Sequence, residues 1–515
     1  MKINPRIYQL FPYLALFIFV AFFIIRLLII FSDGNDIAGV EQNVIYSIQV
    51  LLNHGKLYST PSLAPFSITQ YTPLYYYICE YTAKLFSKGS DDIYSLYIIG
   101  RSWNLIFNVV TALIVYKIGR SFFSLSINKC YFLLLLSFTL NLSHNFAVRP
   151  DSLQDMISIT SIYCFLIYLV KPGTPLRSTL LLLITVILTA LSVFSKQSGI
   201  QLIIMFSGFC VLNGDWKGLI KLLIFSVIIY TGILFLWNYS YDSFFANVIG
   251  GIANGFNLES LIYVHRKGLF ILITLPIILI SLSLMIRKNV LFKGLPIDRL
   301  LAVLTLGSLI FASVTALKMG STAQYYILFI NLSLLLLMNE LQSGQNKPSL
   351  DSPFLSIKEA SFYFYLIMAT LLCGAYNGKL ILTFDHNADI KKQRSAALSV
   401  ADYIKHDGGK MNGKYIFANL TNDYTIPSRQ GLNNIFFRNC LLPQMDIIET
   451  SKEPSKVVGY KKFEDMIRNG QVEYIIESEP ILRFIVLKDL ESIKKTRFKL
   501  VKNIEGYLIY KFSPN

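Results

Sequence analysis

Charge is scarce in this chain: 15% of its 515 residues are Asp, Glu, Lys or Arg, while 54% are hydrophobic. That ratio excludes a soluble globular protein, because a water-soluble core of this size has no use for so many long apolar runs. Cysteine is sparse as well. Cys79, Cys130, Cys164, Cys210 and Cys373 lie in or beside apolar segments, and only Cys440 lies in the last quarter. With no CxxC present, there is no disulfide framework from which a redox compartment could be read. The last quarter lacks a phosphate-cradling glycine loop, a paired metal-ligand spacing and a nucleophile elbow. No internal repeat is evident, which weighs against transporter folds built from duplicated halves.

What the chain has is apolar runs. They cover residues 8–31, 93–118, 130–146, 156–170, 178–194, 200–212, 219–237, 269–286, 300–317, 325–338 and 362–382, which gives about eleven transmembrane helices. Several fall short of the roughly 20 residues a crossing needs and must borrow flanking residues. The first run is too long for a signal-peptide core and lacks a small-residue cleavage site, so it reads as an uncleaved span. Residues 72–86 contain Glu80, Lys84 and an early Pro73, and read as a half-buried interfacial helix. A crossing there would reverse the sidedness of everything after it.

The charges that exist are unevenly placed. Residues 1–384 carry 26 Lys/Arg and 15 Asp/Glu, and residues 385–515 carry 21 and 16, so 37 of the 78 fall in the last quarter. That shift divides the chain into an all-α polytopic membrane body, 1–384, and a small C-terminal α/β soluble domain, 385–515. In the tail, 395–405 and 462–469 are helix-like, and 414–418 and 472–476 strand-like. Segments 497–504 and 507–512 alternate about Glu505-Gly506, a hairpin signal. The net charge of +16 lies largely in loops between spans, so it is a topology signal and not a nucleic-acid footprint.

The stretch that organises the rest follows the first span. On a helix over 37–53, the residues Ile37, Val40, Val44, Ile45, Ile48, Leu51 and Leu52 share one stripe, with Glu41 in its middle. A buried carboxylate needs partners. Asn53-His54-Gly55 closes the helix as a Gly cap does. If the N-terminus is inside, the inner segments hold the larger share of Lys and Arg, as the positive-inside bias requires. Asp33, Asp36, Glu41, Arg149, Asp151, Lys196, His265, Arg266, Lys267 and Lys318 then emerge on one outer face. Each cation alone reads as an interfacial anchor, but their convergence fits a site between a membrane-embedded donor and an outer-face acceptor.

The order of motifs resembles a known superfamily. An acidic first outer loop leads through GKLY to YTPLYY, then come VRPDSL opening one span, FSKQSG closing another, and an α/β tail. This resembles the GT-C polytopic glycosyltransferases, which include protein O-mannosyltransferases and aminoarabinose transferases. The resemblance implies sugar transfer, usually inverting, from a polyprenyl-phosphate-linked donor to an outer-face glycan, lipid or protein. The family's first-loop acid acts as base or metal ligand, so Asp33, Asp36 and Glu41 are the candidates, for a divalent metal ion as for catalysis. This chain has Val40-Glu41 where an acidic pair is expected, and which acid is the base stays open. Tyr71-Thr72-Pro73-Leu74 looks like the family's Pro-Pro-Leu helix start, and Asp151 matches its second-loop acid. Lys196, Arg149, Arg266, His265, Tyr71 and Lys318 are the candidates for holding the donor. The implied location is a bacterial plasma membrane, with site and tail on the outer side. Two other readings stay open: a transporter or flippase of lipid-linked glycans, and a non-catalytic assembly protein. A transporter needs ionisable residues deep in its spans, for which Arg26 is the main candidate.

The charge bias makes the topology testable. A phosphatase fused after Asp385 is expected to be active and one near Lys293 inactive; the reverse result removes the shared outer face.

Overall fold

Among the described residues, six helices are long and apolar enough to cross a membrane: Ile93–Phe122, Asp151–Val170, Pro175–Ser195, Trp216–Ile233, Ile271–Lys288 and Pro296–Ala316. All six coincide with runs expected from the sequence, but the expected eleven are not reached by this measure. The computed structural model describes residues 10–32, 41–171, 173–235, 240–343, 357–386, 388–407, 414–419, 431–444, 459–478 and 490–513. At 1.5 Å per residue, some 20 residues match the roughly 30 Å hydrocarbon layer, and a helix satisfies its own backbone there. The faces that remain open are apolar. Only 17% of the Trp216–Ile233 helix is buried, and Ile220, Leu223, Ile224, Val227 and Ile228 are exposed along it. Such a surface belongs against lipid; the chain is an integral membrane protein.

Helix ends follow local chemistry. Asp92 caps the Ile93–Phe122 helix by accepting from the Ser95 N–H, and Thr174 caps the Pro175–Ser195 helix, which starts with proline at its first turn. The Leu74–Leu85 helix has 12 residues, about 18 Å, too short to cross. It buries Tyr75, Tyr76, Cys79 and Ala83.

The Glu41–Leu52 helix departs from the expected amphipathic pattern. Val44, Ile45, Ile48 and Leu51 pack in one core with Tyr75, Tyr76 and Cys79, as the stripe requires. The opposite face is buried too: every residue from Glu41 to Gln49 is inaccessible. The C-terminal part of the chain covers it. Asn434 Nδ2 donates to Gln42 O at 3.2 Å and to Gln49 Oε1 at 2.9 Å, and Gln49 Nε2 donates back to Asn434 O at 3.0 Å. The helix closes with His54, not Gly55, in the left-handed conformation (φ 58). Gly55 is needed because a Cβ there would come within 2.7 Å of Val50 Cγ1.

The C-terminal sheet has the order β1-β2-β4-β3, with β1 Tyr415–Asn419, β2 Val472–Ser478, β3 Phe498–Ile504 and β4 Tyr507–Phe512. β1 runs parallel to β2, whereas β4 is antiparallel to both β2 and β3. Glu505 and Gly506 both have positive φ (46 and 90), the two-residue geometry that suits a twisted hairpin. Helices Ala388–Asp407, Tyr460–Arg468 and Leu490–Arg497 accompany the sheet. Phe66 and Ile68 of the first loop share its hydrophobic core, and Leu442 N donates to Pro65 O at 2.9 Å.

One tight spot in the body bears on the site. After the Pro175–Ser195 helix, Lys196 is extended (φ −157, ψ 136) and a single 3₁₀ turn, Gln197–Ile200, reverses the chain. A Cβ on Gly199 would lie 2.4 Å from the Ser192 carbonyl carbon and 2.6 Å from Val193 N. Backbone cannot yield there as a side chain can. Gly199→Ala is expected to cost about 1–3 kcal/mol, read as a lower thermal midpoint in detergent; an unchanged midpoint refutes the close packing.

Candidate functional site

The site begins at the turn before the Asp151–Val170 helix. Pro150 sits at the N-cap and Asp151 is the first helical residue, where proline's missing N–H costs nothing and a carboxylate complements the helix dipole. Lys196, at the end of the neighbouring helix, places Nζ 2.5 Å from Asp151 Oδ1. On the other side Arg149 Nε lies 3.3 Å from Asp151 Oδ2, and Arg149 Nη2 donates to the Tyr71 hydroxyl at 3.0 Å. Lys196 Nζ also stands 4.1 Å from the centre of the Tyr325 ring and 5.6 Å from that of Tyr71, contacts worth about 0.5–2 kcal/mol each. Tyr71, Arg149, Asp151 and Lys196 are all buried.

This cluster carries two cations and one anion. Burial alone would pull a proton off Lys196, but the Asp151 carboxylate and the Tyr325 ring outweigh it and raise its pKa. Arg149 behaves alike: burial opposes its charge, while Tyr71 and Asp151 raise its pKa. Burial also pushes the Tyr71 hydroxyl up, against the pull of Arg149 and Lys196. Both cations therefore stay charged, leaving an excess of one positive charge in a poorly hydrated place. Arg149 Nε and Asp151 Oδ2, though close, are not aligned, and among the described residues neither has a hydrogen-bond partner. Lys318, half-buried nearby, has its pKa lowered by burial and by the charge of Lys196. The arrangement can receive an anion.

Glu41, expected as base or metal ligand, is engaged elsewhere. Arg101 Nε donates to its Oε1 at 3.0 Å and Arg101 Nη2 to its Oε2 at 2.8 Å, with both side chains fully buried. Its Oε1 also accepts from Val148 N at 2.8 Å. Arg101 Nη1 continues to Ile29 O and Ser32 Oγ, at 3.1 and 3.2 Å. Asp33 and Asp36 lie outside the described residues. Among the described residues, no group of three or more His, Cys, Asp or Glu is placed to hold a metal. Glu41 and Asp151 are already neutralised by Arg and Lys, a poor donor set for a divalent cation.

His265 and Arg266 are not joined to Asp151 by any of these contacts. His265 Nδ1 is 2.9 Å from Thr274 Oγ1 and Nε2 is 3.2 Å from the Tyr326 hydroxyl, and burial lowers its pKa. Both its nitrogens tie the Leu258–Arg266 helix to its neighbours, while Arg266 is exposed. The sequence reading passed over Tyr325, for which it held no signal, and Arg101, for which it did: an Arg inside an apolar run. It also passed over Asp155, whose Oδ2 accepts from Asn145 Nδ2 at 3.0 Å one turn beyond Asp151.

No protein-family model matches the sequence, and no curated protein matches it significantly. Solved structures do. The crystal structure of ArnT from Cupriavidus metallidurans bound to undecaprenyl phosphate superposes with a TM-score of 0.56 at 11% identity, covering 95% of this chain and 97% of that one. The archaeal oligosaccharyltransferase AglB from Archaeoglobus fulgidus, in complex with an inhibitory peptide and a dolichol-phosphate, gives 0.54 at 14%, over 97% of this chain and 74% of that one. Both are GT-C membrane glycosyltransferases, and the likeness runs through nearly the whole chain, which therefore has a GT-C-like fold.

Proposed function

We propose that this protein is a membrane glycosyltransferase that moves a sugar from a polyprenyl-phosphate-linked donor to an acceptor on the outer face. The observation that carries the reading is the buried, net-positive cluster of Arg149, Lys196 and Asp151 in a GT-C-like fold. The structural neighbours were solved with undecaprenyl phosphate and dolichol-phosphate, which supports a donor of that class. On this reading the membrane body is 1–384 and the outer-face α/β domain 385–515, with the site on the outer side of a bacterial plasma membrane.

The chemistry is a single displacement. The acceptor hydroxyl oxygen forms a bond to the anomeric carbon as the bond from that carbon to the phosphate oxygen breaks, inverting the centre. The phosphate leaves with the bonding electron pair, and its charge grows as it departs. Arg149 Nε, buried and in no aligned hydrogen bond among the described residues, and Lys196 Nζ meet that charge in a place where water cannot screen it. Lys318 adds a third cation at the edge. Asp151 keeps the two cations charged and apart when the site is empty. The acceptor's proton goes to a carboxylate; Asp33 and Asp36 are the candidates, with Asp151 third, because Glu41 is bound to Arg101.

Incubation of the purified protein in nanodiscs with radiolabelled polyprenyl-phosphate sugars tests the reading: label passing to an acceptor supports it, and label crossing the bilayer unchanged points to transport instead. Lys196→Met keeps the stem and leaves Asp151 paired with Arg149, so folding is expected to survive. Binding of the polyprenyl phosphate is expected to weaken about tenfold or more, the loss of one charge-assisted contact; wild-type affinity makes Lys196 a span anchor only.

Glu41→Gln is expected to act on stability first. It strands a buried guanidinium, which costs about 3–5 kcal/mol, so yield and thermal midpoint fall with activity. Glu41→Gln paired with Arg101→Met is expected to regain much of that loss. A Glu41→Gln protein as stable as wild type but inactive would return Glu41 to the role of base.

A further inference from the structure

The amide pair between Gln49 and Asn434 has no part in the chemistry above, yet both side chains are buried, at 0% and 2% exposure. They are 385 residues apart in sequence. Gln49 uses its amide fully: Nε2 donates to Ser90 O at 2.8 Å and to Asn434 O at 3.0 Å, and Oε1 accepts from Asn434 Nδ2 at 2.9 Å. The second proton of Asn434 Nδ2 goes to Gln42 O, the residue next to Glu41. One C-terminal side chain thus grips the Glu41–Leu52 helix near both ends. From Glu41 the connection continues by hydrogen bonds alone, through Oε1 to Val148 N, one residue before Arg149.

We infer that the Gln49–Asn434 clamp is a positioning device, through which the C-terminal part of the chain sets the angle of the Glu41–Leu52 helix and so the place of the Arg149-Pro150-Asp151 turn. The physical reason is economy of alternatives. A helix with polar groups on its outward face could rotate or tilt to reach water, and the amide pair admits one register only, because any other strands buried donors. Apolar packing of Val44, Ile45, Ile48 and Leu51 is less specific, since such stripes tolerate small rotations. Asn434 and Gln49 are therefore positioning residues, acting through Glu41. Their consequence for catalysis rests on the glycosyltransferase reading; the mechanical coupling does not.

The Val148 amide reports the coupling directly, because its proton lies in the Glu41 hydrogen bond. The experiment is hydrogen–deuterium exchange of the full chain in nanodiscs, comparing wild type with Asn434→Leu and Gln49→Met, both close in shape and without the amide. The expected result is about tenfold faster exchange at Val148 in each variant, the equivalent of one lost hydrogen bond, with β1 and β2 amides unchanged. Unchanged exchange at Val148 in Gln49→Met overturns the inference. If Asn434→Leu also exposes β1 and β2, the decision passes to Gln49→Met, which alters only the body side. Transfer assays on the same samples keep the two ideas apart: wild-type protein without transferase activity defeats the functional reading, and the Val148 result still stands or falls by itself.

Discussion

The arrangement around the Asp151 cluster hangs on one buried ion pair. Glu41 and Arg101 meet through two parallel hydrogen bonds in a region with no exposed surface, and their further hydrogen bonds reach two more parts of the chain. Arg101 holds the end of the first helix through Ile29 O and Ser32 Oγ, and Glu41 holds the loop before the Asp151–Val170 helix through Val148 N. Burying a charge pair is not by itself stabilising, because the desolvation of each ion offsets their attraction. The gain here is specificity. The pair thereby joins the first-loop helix, the end of the first helix, the Ile93–Phe122 helix and the turn that carries Arg149.

The cluster at that turn is net-positive. Arg149 and Lys196 would repel each other if free, and burial would strip them of water. Asp151 stands between them, while the Tyr71 and Tyr325 rings offer their faces as partial compensation. The compensation is incomplete. Arg149 Nε and Asp151 Oδ2 form an ion pair without an aligned hydrogen bond among the described residues, which is the usual signature of a polar place arranged for something other than stability.

Much of this was legible in the sequence, for reasons that can be named. The spans are readable because length and apolarity dominate their placement, and the strands near 415, 472, 498 and 507 because alternation and the Glu505-Gly506 turn are local signals. Asp151, Arg149 and Lys196 could be grouped on one face by counting crossings. What could not be read is pairing across distance. Nothing in the periodicity of 37–53 says that its polar face would be covered by Asn434, and the partner that a buried Glu41 needs could not be named because Arg101 sits 60 residues on, inside an apolar run. Tyr325 gave no hint, since one aromatic among so many carries no information until it lies under an ammonium group.

The all-round burial of the Glu41–Leu52 helix has a consequence for biogenesis. Its apolar side can dock as soon as the next few segments are made, but its other side must wait for Asn434. At about 5–20 residues per second of synthesis, that is an interval of roughly 20–80 s during which the membrane-spanning part is inserted and the first loop is only half covered. The turn with Arg149 and Asp151 is then not yet held in its final position. A chain cut short before residue 434 is a membrane protein whose Glu41–Leu52 helix lacks the cover on its polar side.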